Sequence, residues 1–66
     1  MNTQLRFDIN DVFLKAFSVF NSDRAGNVWM YKANKLLGGD SPYKACNTQD
    51  GMEKVYRLLM SLEEGL

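Results

Sequence analysis

The chain has no histidine and a single cysteine, Cys46, in 66 residues. One cysteine cannot close an internal disulfide, and without histidine the common zinc-ligand sets are out of reach. The same absence removes the usual base that activates a serine or cysteine nucleophile. Net charge is missing too: eight Lys and Arg balance eight Asp and Glu, with the basic residues scattered singly. Non-specific nucleic-acid affinity comes from phosphate neutralisation, so DNA binding by this chain alone is not expected. No apolar run approaches the ~20 residues that span a bilayer. The start Met1-Asn2-Thr3-Gln4-Leu5-Arg6 lacks the basic opening and apolar stretch of a signal peptide. These absences predict a cytoplasmic protein with a reduced thiol, no membrane partner, no metal and no cofactor.

What is present is apolar. The chain is 45% hydrophobic, with four Phe, three Tyr and one Trp, too much for a disordered tail. Sixty-six residues predict one small domain over 1–66, with a flexible N-terminus over 1–7. A core of this size typically yields only about 3–5 kcal/mol, and neither a disulfide nor a metal is at hand to add to it. Burying apolar surface against another chain is the remaining route to stability. Association is therefore the first inference, and a homodimer its simplest form.

The pattern predicts an all-α fold, a small bundle of three to four helices with a long C-terminal amphipathic helix. Asp8 or Asn10 can cap a first helix running to about Phe20. Ile9, Val12, Phe13, Ala16, Phe17 and Phe20 recur at helical spacing and share a face, while Leu14 points elsewhere. Ser22 is a good cap for a second helix, whose expected inner side is Ala25, Val28, Trp29 and the stem of Lys32. Gly26 weakens that helix by about 1 kcal/mol relative to alanine. Gly38-Gly39 ends the Leu36-Leu37 stretch, since glycine accepts the left-handed conformation at a helix end. Ser41-Pro42 then reads as a cap plus a first helical position, opening a short turn over Tyr43, Ala45 and Cys46. Thr48 caps the last helix, with Asp50 well placed in its first turn. Gly51, near that start, permits close approach of another backbone. No two-residue alternation of any length occurs, so no strand is expected.

In the last helix Met52, Val55, Tyr56, Leu59, Leu62 and Leu66 fall within about a third of the wheel. Leu58 flanks this stripe on one side and Met60 on the other, widening the apolar arc to roughly 200° where one buried face needs about 100°. One side of that arc is expected to pack on the domain and the other on a partner. Glu53 and Arg57 are spaced for a weak ion pair. Glu63 falls inside the apolar stripe, where a carboxylate is costly if buried and unpaired. Either the end of the helix projects past the core, or a cation from a partner meets Glu63.

Residues with chemical potential read as structural. Cys46 lies in an apolar turn with no evident activating base. Gly38-Gly39-Asp40-Ser41-Pro42 lacks the Gly-Lys-Ser/Thr ending of a phosphate loop. Trp29 reads as a core residue from its spacing with Ala25 and Val28. Asn34, after a helix, is expected to bond nearby backbone.

From Ala16 to Gly65 the ordered set Ala16, Phe20, Trp29, Asn34, Leu37-Gly38-Gly39, Ser41-Pro42, Thr48, Gly51, Val55, Leu59 and Leu62-Glu63-Glu64-Gly65 resembles the toxin-binding domain of Xre/MbcA/ParS-like antitoxins. The resemblance implies a small all-helical domain that binds a RES-domain toxin, an enzyme that consumes NAD. It also implies that the last helix and its tail lie over the toxin's active-site cleft. On that basis Leu58, Leu62, Glu63, Glu64, Gly65 and Leu66 are the expected partner-binding residues. Trp29, Asn34, Gly38, Gly39, Ser41, Pro42, Thr48, Gly51, Val55 and Leu59 are the expected structural motif. Asn21 and Ala33 stand where that family commonly has glycine and proline. Many relatives carry a helix-turn-helix domain ahead of this module. Only about seven residues precede the first helix here, so autonomous operator binding is not expected. The reading is a toxin-neutralising binding module acting by steric occlusion. A self-associating structural or adaptor domain is the alternative, a transcription regulator a further one, and an enzyme the least expected.

Overall fold

A computed structural model describes residues 8–65, which are all-helical with no strand among them. The N-terminus over 1–7 and Leu66 lie outside the described residues. The elements are α1 (Ile9–Phe20), α2 (Asp23–Tyr31), a 3-10 turn at Lys35–Leu37, α3 (Pro42–Ala45) and α4 (Gln49–Gly65). The long C-terminal helix of the sequence reading is α4.

Short polar residues set the helix starts, because a helix leaves its first N–H groups without intrahelical partners. Asp8 caps α1, and the Asp11 carboxylate accepts in return from the Asp8 N–H at 3.1 Å, closing a capping box. The Ser22 hydroxyl accepts from Ala25 N–H at 3.1 Å and Ser41 from Lys44 N–H at 3.1 Å. Thr48 Oγ1 accepts from Gly51 N–H at 2.9 Å. At the far end of α1, Asn21 adopts φ 55° and donates its N–H to the Phe17 and Ser18 carbonyls. Asparagine is one of the few non-glycine residues that enters this region readily.

Asn34 organises the central connection. Its side chain accepts from Leu36 N–H at 2.9 Å. Its backbone N–H donates to the Asp40 carbonyl at 3.0 Å, and its carbonyl accepts from Gly39 at 3.0 Å. Gly38 and Gly39 sit at φ 71° and 93°, where a Cβ is penalised, so the reversal needs both glycines.

The core draws on every helix. Val12, Ala16 and Val19 of α1, Met30 of α2, Cys46 just after α3, and Val55 and Leu59 of α4 are buried. Val19 belongs to this core although the spacing of the first helix did not place it on the inner face.

The inner side of α2 corrects the sequence reading. Ala25, Val28 and Lys32 are exposed, and the buried pair is Gly26 and Met30. The cause is steric. A Cβ on Gly26 would come within 2.7 Å of Phe17 Cδ1 and 3.0 Å of the Phe17 backbone nitrogen. The bare glycine is the surface on which α1 and α2 cross, and Met30, one turn on, follows it inward. Trp29 is half-buried at the flank of this contact, its ring 5.8 Å from that of Phe20.

Candidate functional site

The expected site is the C-terminal half of α4, a helix that packs on both α1 and α3. Gly51 lies against α3 so closely that a Cβ would fall onto the Ala45 carbonyl oxygen. Pro42, fully buried, anchors α3. From Gly51 to Gly65 the helix advances about 21 Å at 1.5 Å per residue, so Thr48 and Gly51 stand at its start and not at its tip, and Asn34, Gly38, Gly39, Ser41 and Pro42 belong to the chain that precedes it. Val55 and Leu59 fix its inner face in the core.

Toward the tip, Leu58 and Leu62 are half-buried, and Glu63, Glu64 and Gly65 are exposed. Leu66 lies outside the described residues. The two flanks of the apolar arc behave differently: Leu58 is half-buried, whereas Met60 is 42% exposed. Ser61 and Arg57 face solvent, with Arg57 held by Glu53 at 2.8 Å.

Glu63 is met by a cation of its own chain. The Lys15 ammonium of α1 donates to its carboxylate at 2.7 Å, across 48 residues of sequence. Lys15 also lies over the Tyr56 ring, 5.8 Å from its centroid. Its side chain is 21% exposed against 45% for Glu63. The hydrogen bond to Glu63 raises the Lys15 pKa above its ordinary value, against a smaller opposing effect of desolvation. This pair answers the puzzle of a carboxylate within an apolar stripe. It ties the last turn of α4 to α1, and sequence spacing within α4 alone could not reveal it.

No group of three or more His, Cys, Asp or Glu able to hold a metal occurs among the described residues. Cys46 is buried, and desolvation raises its pKa, which keeps the thiol protonated. Beside it an open depression between the start of α1, α3 and the start of α4 is lined by Ile9, Tyr43, Lys44, Asn47 and Met52, among others. None of the helices among the described residues is long and apolar enough to cross a membrane.

Sequence reasoning missed one surface altogether. Phe13, Phe17, Tyr31 and Tyr43 come from three helices and cluster ring against ring. The available signal was the off-centre position of Phe13 and Phe17 on the wheel of α1, which leaves them free to reach a neighbour on one flank.

A family model for the antitoxin Xre/MbcA/ParS C-terminal toxin-binding domain matches residues 15–65. No curated protein and no solved structure matches the chain.

Proposed function

The chain belongs to the antitoxin Xre/MbcA/ParS C-terminal toxin-binding domain family, and from that premise we propose that it neutralises a RES-domain, NAD-consuming toxin by covering its active site. It acts as one binding domain in the bacterial cytoplasm, pairs with a second copy of itself, and carries no catalysis of its own. The inhibitory element is the end of α4, with Leu58, Leu62, Glu63, Glu64, Gly65 and Leu66 against the toxin.

The observation that carries this reading is the combination at the tip of α4: half-buried Leu58 and Leu62 beside exposed Glu63 and Glu64. A cleft that takes a dinucleotide pyrophosphate is built from cations and backbone donors, and an acidic, partly apolar helix end complements it. The Lys15–Glu63 pair adds preorganisation. A tip already held in place loses less freedom on docking than a fraying one.

Co-expression with the cognate toxin tests this. Glu64→Lys should abolish growth rescue while leaving the thermal melt of the free domain unchanged, since the residue is exposed. Glu63→Lys is the poorer probe, because it sets two lysines against each other at the α1 contact. Full rescue by Glu64→Lys and by a chain lacking residues 63–66 would reject the tip as the inhibitory element.

A further inference from the structure

Most of the exposed large hydrophobic side chains among the described residues are not on α4, which carries Met60, but on α1, α2, α3 and the turn at Lys35–Leu37. Phe13 of α1 lies 6.1 Å from Phe17, 5.8 Å from Tyr31 of α2 and 6.1 Å from Tyr43 of α3, and Tyr31 and Tyr43 are 5.0 Å apart, measured between ring centroids. Tilted rings at these separations attract beyond the area they bury. The outer rings remain open, with Tyr31 59% and Tyr43 49% exposed. Leu14, 62% exposed, stands one turn from Phe17, and exposed Val28 stands one turn from Tyr31. Residues three apart are neighbours on a helix surface, so both extend the patch.

We propose that this aromatic face is where a second copy of the chain docks. The inference rests on the reading that the chain pairs with itself, and it locates that contact; it is independent of the toxin. Three features favour a second copy over another occupant.

The first is charge. A two-fold contact sets a patch against itself, so any formal charge in it meets its like. The patch consists of two Phe, two Tyr, Leu14 and Val28, with no Lys, Arg, Asp or Glu in it, and the chain as a whole carries no net charge. Nothing in it selects an acidic or basic partner, and nothing repels a copy.

The second is area. Half-exposed tyrosines and two mostly exposed aliphatic side chains offer roughly 300–400 Å² of apolar surface per copy. A standard interface takes about 800 Å² per partner, a little over half of it apolar. The patch thus supplies most of the apolar share, and polar neighbours such as Asn10, Asn27 and Lys44 can form the rim.

The third is position. At 100° per residue, Lys15 lies roughly 160–200° around α1 from Phe17 and Phe13. Lys15 holds the end of α4. The aromatic face and the α4 tip therefore stand on opposite flanks of α1, and a copy on one leaves the other open. Of the face, Phe13 and Leu14 precede the segment 15–65 that the family model matches, and Phe17, Val28, Tyr31 and Tyr43 lie within it.

Sedimentation equilibrium of the whole chain through the micromolar range tests the proposal, on the wild type and on Leu14→Lys and Tyr31→Lys. Leu14 has little to lose on substitution, and Lys is a good helix former, so its variant keeps the fold. The wild type should sediment as a dimer, with a melting temperature that rises with concentration. Each substitution should weaken dimerisation about tenfold or more while the far-ultraviolet helical signal stays unchanged. A wild type that is monomeric throughout would overturn both the pairing and its location. A dimer that survives both substitutions at wild-type strength would overturn the location alone.

Discussion

At Gly26, helix propensity and packing pull in opposite directions. Alanine is the better helix former by about 1 kcal/mol, so an isolated α2 would gain from Gly26→Ala. In the folded chain the new Cβ would press on the Phe17 ring and on the Phe17 and Ala16 backbone. That backbone belongs to the helix turn that carries fully buried Ala16, so yielding there opens the core. Gly26→Ala should therefore lower the melting temperature, and a higher one would show that α1 and α2 separate at little cost. Gly51→Ala is harsher, because the clash is with the Ala45 carbonyl oxygen and no side-chain rotation relieves it. Its expected outcome is loss of the cooperative thermal transition seen by circular dichroism. Core truncations should rank by burial and not by size. Met30 is fully buried, and Met30→Ala should cost about 2–5 kcal/mol, a large part of what so small a core supplies. Trp29 is only half-buried against Phe20, so Trp29→Ala should cost less despite the larger side chain. Denaturant melts that reverse this order would make Trp29 the keystone that its spacing in the sequence implied.

For the helices as elements, the decisive interaction is the one between α1 and the tip of α4. A partly exposed ion pair adds little to global stability, and the effect expected of Lys15–Glu63 is local order. Lys15→Met should leave the melting temperature nearly unchanged and speed amide exchange across residues 61–64. Unaltered exchange there would show that packing of Leu62 alone holds the helix end. The pH dependence follows from the raised Lys15 pKa. The stabilising effect of the pair is fully present below the ordinary lysine value of 10.5 and is lost as pH rises through the higher folded value. Carbon-detected NMR should therefore show the last turn of α4 loosening only in strong alkali in the wild type, and without this alkaline step in Lys15→Met. This pair also marks where sequence reading stops. Ser22, Ser41 and Thr48 were legible as caps, and Asp8 as one of two candidates beside Asn10, because a cap and the N–H it satisfies lie within three residues. The Gly38-Gly39 reversal and the bare Gly51 were legible because a missing Cβ has few uses at such positions. Lys15 and Glu63 meet across 48 residues, and nothing in the pattern of either helix points to the other. The face of α2 was misjudged because Val28 and Trp29 outweigh a glycine in any apolar count, although the glycine decides where the helices touch. The aromatic cluster was hard to see for a related reason: three helices contribute to it, and the off-centre Phe13 and Phe17 of α1 were its one trace in the sequence.

For the molecule as a whole, the two surfaces on opposite flanks of α1 differ in chemistry as well as place. The α4 tip carries Glu63 and Glu64 beside leucines, which suits a charged partner surface. The aromatic face is uncharged and suits a copy of itself. If each does what its chemistry favours, the chain is a bivalent connector, and two copies joined through the aromatic face present two α4 tips. The complex with toxin should then hold two chains and two toxin molecules, and Leu14→Lys should halve its mass to one of each while toxin capture persists. Multi-angle light scattering on the purified complex reads this directly. Changes on the two flanks should also act independently, since sites that share no partners are additive: Glu64→Lys should abolish capture without altering the dimer of the free chain. A Leu14→Lys complex of undiminished mass would mean that the toxin itself holds the assembly together. Loss of capture in Leu14→Lys with the fold intact would mean that the toxin binds across both flanks, and the separation of the two surfaces would fail.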